Sequence, residues 1–233
     1  MPLSNAQWFN KLDPLVITGS ITANPDIATA NTDSYTFSGQ ALGDEDSSRI
    51  IVVAVGVGWN GNISTVTNVT VGGSSCTQQI AATGNSGTTE NHRAEIWSIA
   101  LASGTSADVV VTLNDATGNN RGCLITVFRL VGDVTLAPDD EESDTSTQTG
   151  GNYSVDVDAK NSGYIIAVSA RQHAGSNCTW VGATEILDER ATTTYASSAS
   201  HAVTVDDGTY TVVATWADEG YNGALVVASW HPQ

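Results

Sequence analysis

The chain has 233 residues, 40% of them apolar, which is enough to bury one large core or two modest ones. Eight basic residues stand against 25 acidic ones, a net charge of −17. So few cations exclude the phosphate neutralisation on which nucleic-acid binding depends and disfavour an anionic membrane surface, and no apolar run approaches the ~20 residues of a membrane-spanning helix.

Residues 1–33 come first. The opening MPLSNAQWFNKLDP has neither a basic start nor an apolar run, so a secretory signal is not expected and synthesis in the cytoplasm is. Trp8, Phe9 and three prolines (Pro2, Pro14, Pro25) lie in a segment too short to form its own core. It reads as an N-terminal arm, with Trp8 and Phe9 expected to dock on a neighbouring subunit.

Short strands separated by turn chemistry follow from residue 34. Ile50-Ile51-Val52-Val53-Ala54-Val55 is too β-branched and too short for a helix and reads as a strand buried on both faces. DVVVTL (108–113) and CLITVF (123–128) have the same continuous apolar character, which suits interior strands of a sandwich. Residues 133–151, DVTLAPDDEESDTSTQTGG, read as an acidic, exposed linker.

After the linker the same blocks return in the same order. SYTFSG (34–39) matches NYSVDV (152–157), SSRIIVVAV (47–55) matches NSGYIIAVS (161–169), and TVGGSS (70–75) matches WVGATE (180–185). RAEIWSIAL (93–101) falls opposite YASSASHAV (195–203), and SGTSADVVVTLND (103–115) opposite DGTYTVVATWAD (207–218). RGCLITVFRL (121–130) answers NGALVVASWH (222–231). The chain is therefore expected to be a duplication, all-β, of two tandem β-sandwich repeats of jelly-roll or Ig-like type at 34–132 and 152–233. Only 183–191, ATEILDERA, has helix-favouring composition, and its partner block argues for a strand or strand-edge loop instead.

No catalytic signature is present: no G-x-S-x-G elbow, HExxH, Walker loop or strand-linked GxGxxG. Three cysteines (Cys76, Cys123, Cys178) cannot make a disulfide framework, and four histidines (His92, His173, His201, His231) are scattered singly. His173 and Cys178 are five apart, but two loop residues is the plainer reading. Asp44-Glu45-Asp46, Asp139–Glu142, Asp156/Asp158 and Asp206-Asp207 are of the kind that can hold calcium, without the spacing of a known calcium loop. Glu185, Asp188 and Glu189 offer the paired carboxylates of a glycosidase, as any acidic chain does. Neither a catalytic residue, a metal ligand nor a cofactor is assigned. Trp59 in GVGWNGN and Tyr221 in DEGYNG are the aromatics set among turn residues, where a ring can stack on a sugar or anchor a protein.

The run IIVVAV, TVGG, EIWSIAL-SGTSADVVVTL and ITVFRLVG resembles virion surface proteins of tailed bacteriophages, built from jelly-roll or Ig-like sandwiches. The resemblance covers 34–132 well and the second repeat more loosely, and it carries over no functional residue. It implies a non-enzymatic virion structural protein, a capsid decoration or head–tail accessory on the particle surface. Its partners would be the major capsid protein or another virion protein, and further copies of itself, with a trimer as the working stoichiometry. The alternative is a carbohydrate-binding or adhesion module that engages a glycan through Trp59 and Tyr221.

Overall fold

The computed structural model describes residues 26–28, 34–60, 65–85, 90–114, 119–146, 151–172, 177–191, 194–202, 207–217 and 222–233. Every regular element among them is a strand. The first half holds β1 (Asp26–Ala28), β2 (Ser34–Ala41), β3 (Ile50–Asn60), β4 (Val66–Val71), β5 (Ser74–Ser75), β6 (Thr77–Asn85), β7 (Glu90–Ala100), β8 (Ser106–Leu113) and β9 (Asn119–Leu130). The second holds β10 (Asp140–Ser146), β11 (Asn152–Ala159), β12 (Tyr164–Gln172), β13 (Cys178–Val181), β14 (Thr184–Ala191), β15 (Thr194–Ala202), β16 (Gly208–Trp216) and β17 (Gly223–Trp230).

They make four antiparallel sheets: β1-β9-β3-β7-β6 and β2-β8-β4-β5 in the first half, β10-β17-β12-β15-β14 and β11-β16-β13 in the second. No sheet among the described residues mixes the halves. With β5 and β6 taken as one strand that changes sheet, the first half runs 1-8-3-6-5 and 2-7-4-5, the interleaving of an eight-stranded jelly roll. The second half repeats it, β10 standing for β1 and β17 for β9; β5 alone has no counterpart among the described residues.

Local pattern explains which sheet lies where. β2 and β11 alternate exposed and buried residues, so each belongs to a sheet with one face in solvent. In β3, by contrast, Ile51, Val53 and Val55 pack with Tyr35, Val109 and Val111 of the outer sheet, while Ile50, Val52 and Ala54 face the other way. There they meet Tyr164, Ile166, Val168, Val226, Ala228 and Trp230 of the second half. Ile165, Ala167, Leu225 and Val227 turn outward onto Tyr153, Val157 and Val212. The molecule is thus four stacked layers: outer sheet, five-stranded sheet, five-stranded sheet, outer sheet. The apolar runs of β3 and β17 are continuous because both inner sheets are covered on both faces.

Across the central layer β10 lies over β6, β17 over β6 and β7, β12 over β7 and β3, β15 over β3 and β9, and β14 over β9. The pairs β17–β6 and β14–β9, β17–β7 and β15–β9, and β12–β7 and β15–β3 are equivalents that contact in exchange, the reciprocity of an isologous dimer interface. The chain is a pseudo-dimer of jelly rolls fused back to back, its axis running along the strands near β3 and β12.

Three sequence expectations change. Residues 26–28, assigned to the N-terminal arm, form β1 and pair with Arg121–Cys123; 140–146, assigned to the linker, form β10 and pair with Gly223–Ser229. The two are the same element of the repeat, hidden because β10 is acidic and β1 is short. The last block is also displaced by one residue. Ile50 pairs with Leu130 and its equivalent Tyr164 with Trp230, so Leu130 corresponds to Trp230 rather than His231. A one-residue slip would exchange the two faces of the strand, and the core assignments settle the register. The rest of the arm, Trp8 and Phe9 included, lies outside the described residues.

Candidate functional site

Trp59 falls at, and the segment carrying Tyr221 opens from, the ends of the strands, so the ends are where a site would be built. Asn60 pairs with Glu90 and Asn119, Val66 with Leu113, Gln172 with Thr194, Ser146 with Gly223, and Cys178 with Trp216. All these pairs lie at one end of the stack. Trp59 is in β3 at this end, opposite Asn91, and the segment carrying Tyr221 joins β16 to β17 here. The Trp59 side chain, and Tyr221 and His173 altogether, lie outside the described residues. The topology brings their segments to one end of the molecule, where no sequence spacing indicated it.

Below that end lies a layer of buried polar groups. His92 is 1% exposed and finds a hydrogen-bond partner for neither ring nitrogen among the described residues. Burial, aided by the Arg171 cation, pushes its pKa down to about 3, so the ring is neutral. Arg171 is itself buried on β12. Burial pushes Tyr153 up to about 12. A Cβ on Gly223 would sit 2.5 Å from its hydroxyl oxygen, and one on Gly84 would overlap the backbone of Gly223. The two inner sheets therefore touch backbone to backbone at this point, and only glycine fits.

Glu95, fully buried on β7, is the most thoroughly engaged carboxylate. Trp97 Nε1 donates to it at 2.7 Å, Gln78 Nε2 at 2.9 Å, and the Arg93 guanidinium completes an ion pair. Burial raises its pKa, while these partners pull the other way. At the opposite end Arg49 is 1% exposed and binds only backbone oxygens: Leu101 at 2.6 Å, Ser103 and Gly104 at 2.8 Å, and Asp44 at 3.0 Å. It pins the β2–β3 connection to the β7–β8 connection. Sequence inspection passed over Arg49, Glu95 and Arg171 and took His92 only as one of four scattered histidines. The available signal was a charged residue at an inward position of an otherwise apolar strand.

The carboxylates weighed as ligands or catalysts are occupied locally. Asp46 accepts from the Ser48 amide and hydroxyl, Glu45 from Gly104 N–H, Asp156 from Thr211, and Asp158 from Thr209. Asp140 and Asp144 take the N–H groups of Asp158 and Ser154. Asp188 accepts from Cys178 N–H at 3.0 Å, and burial, with Glu185 and Glu189 nearby, raises its pKa to about 6. Cys178 and Cys76 are buried with thiols pushed up to about 12, the reverse of an activated nucleophile. Among the described residues no three His, Cys, Asp or Glu side chains come together as metal ligands do.

Comparison of the chain with protein-family models, curated proteins and solved structures finds no match.

Proposed function

We propose that this chain is a structural protein of a tailed-phage virion, a surface decoration or head–tail accessory without catalytic activity. The observation that supports it is the fused pseudo-dimer. Two jelly rolls share one central apolar layer, giving a stiff body with two separate ends. Of the eight cations, Arg49 and Arg171 are buried and Arg93 is paired with Glu95, so the surface is still more acidic than the composition states. Such a surface keeps a permanently exposed module soluble. The test is sedimentation of the purified chain with virions from the host that carries it. Saturable binding at a fixed ratio to the major capsid or tail protein is the expected result, and no binding to heads or tails overturns the reading.

One observation favours a second reading, a glycan-binding module: the Trp59 and Tyr221 segments open from the same end. A saturable glycan interaction lost in both Trp59→Ala and Tyr221→Ala would carry it.

A further inference from the structure

The central layer tapers along the strands. At the end where β3 starts and β17 stops it is filled by Ile50, Phe128, Leu130, Tyr164 and Trp230; toward the Trp59 end it is filled by Ala82, Ala94, Ala170 and Ala224. Beyond the alanines come Gly58 and Gly84, each directly opposite His92, and Gly223. A Cβ on Gly84 would lie 2.3 to 2.5 Å from backbone atoms of Gly223, so here the two sheets touch with no side chain between them. Parting the sheets at this end uncovers little apolar surface, whereas the aromatic end holds a great deal.

His92 faces this contact. It lies on the same side of β7 as Ala94 and Ile96 and is 1% exposed. Neither ring nitrogen has a hydrogen-bond partner among the described residues. A neutral imidazole there leaves one donor and one acceptor unmade. An imidazolium would leave two N–H donors and a full charge in the same dry place, which costs far more. Its surroundings offer no compensation. From β12 the buried Arg171, opposite Gly223, adds a like charge. β3 and β6 present glycines, and β17 presents Gly223 and Ala224. The carboxylate that β10 turns toward this layer is Glu141, opposite Ala228, which is roughly 17 Å along β17 from Gly223. On β7 itself Arg93 and Glu95 point to the other side. Glu90 shares the face of His92 at the strand end, opposite Asn60, and its side chain lies outside the described residues.

We propose that the Trp59 end of the central layer is an acid-sensitive latch between the two repeats. A proton on His92 is hydrated only when the ends of β6, β7 and β17 separate, so acid opens this end while the aromatic end keeps the halves together. Trp59 follows Gly58 directly on β3, so the latch acts beside one of the two candidate binding aromatics. The inference rests on neither functional reading.

Other shifted carboxylates do not imitate the effect. Burial raises Glu95 and Asp188, so acid favours their folded state. Asp46 and Asp207 are held low by hydrogen bonds from Ser48 and Asn161. They weaken the fold only as pH falls below 3.8, and they lie at the other end.

The test is hydrogen–deuterium exchange of the full chain between pH 7 and 4.5, read by peptide mass and corrected for the intrinsic pH dependence of exchange. Opening coupled to one proton rises about tenfold per unit below pH 6.5. Peptides covering 81–85, 92–96 and 223–226 are therefore expected to lose close to a hundredfold in protection by pH 4.5, while those covering 50–54 and 227–230 keep theirs. In His92→Gln the loss is expected to vanish. A loss shared equally by both ends, no loss, or one that persists in His92→Gln overturns the proposal. Should that variant not fold, the His92 ring of the parent, followed by NMR, decides. Its titration is expected to coincide with the opening, and a ring that becomes charged while this end stays protected overturns the latch.

Discussion

Arg49, Asp188 and His92 show what individual side chains contribute here. Arg49 is a buried cation held entirely by backbone oxygens at the junction of two loops. Arg49→Met leaves those carbonyls without a donor and is expected to cost about 3 kcal/mol in urea unfolding. Arg49→Lys should rescue only part of this, because an ammonium cannot span both loops as the planar guanidinium does. Asp188 is held at about 6, above its ordinary value of 3.8, so its stabilising effect is full below pH 3.8 and lost as pH rises through 6. Asp188→Asn keeps an acceptor for Cys178 N–H. It should be more stable than the parent above pH 6, by about 1 kcal/mol for a half-buried group, and equal to it below pH 4. His92 works in the opposite sense. Its pKa falls from 6.5 unfolded to about 3 folded, so stability declines as pH drops from 6.5 toward 3, by up to about 1.4 kcal/mol per unit. Unfolding of His92→Gln at several pH values should show that slope removed.

At the scale of elements, burial overrides local propensity. Thr184–Ala191 has helical composition yet is a strand, because β15 offers it a ladder and Leu187 a buried place. Asp140–Ser146 has the composition of a linker yet is a strand, because it closes the edge of β17. Its outward carboxylates cap neighbouring amides, which suits an edge that must not recruit other chains. Where β6 crosses β17, Gly84 and Gly223 let two sheets approach at backbone distance. Gly84→Ala is expected to force the sheets apart at that crossing and cost about 2 to 3 kcal/mol in thermal unfolding. An alanine at Gly39, where a Cβ would meet nothing within 4 Å, should cost less, the strain of its positive φ alone.

For the whole molecule the central layer matters most. Ile50, Val52, Ile96, Phe128 and Leu130 on one side and Tyr164, Ile166, Val168, Val226 and Trp230 on the other leave water only when the two repeats meet. Each repeat alone would expose a contiguous apolar face far larger than a monomer tolerates. Residues 26–134 expressed alone should therefore pair through that face or aggregate; a stable monomer in light scattering would show the halves to be independent domains. Phe128→Ala in the full chain is expected to cost about 3 to 5 kcal/mol and to lower both halves' stability in one transition.

The duplication, the all-β class and most of the strands were legible because short-range patterning carries them: apolar, β-branched runs with turn residues between. The layer was not always legible, since the continuous run DVVVTL belongs to β8 of an outer sheet, where Val110 and Thr112 are only half-buried. Trp59 and Tyr221 could be named from their turn-rich surroundings, but their shared end could not, nor could the polar layer of His92, Arg171 and Glu95. Those depend on strand order and on one sheet facing another, contacts between residues far apart in the chain. The continuous run of β3 required cover on both faces, but the alternation of a single strand cannot say what the second cover is. Only the tertiary structure shows that it is the other repeat, because back-to-back packing is the arrangement in which both doubly apolar sheets lose their water at once.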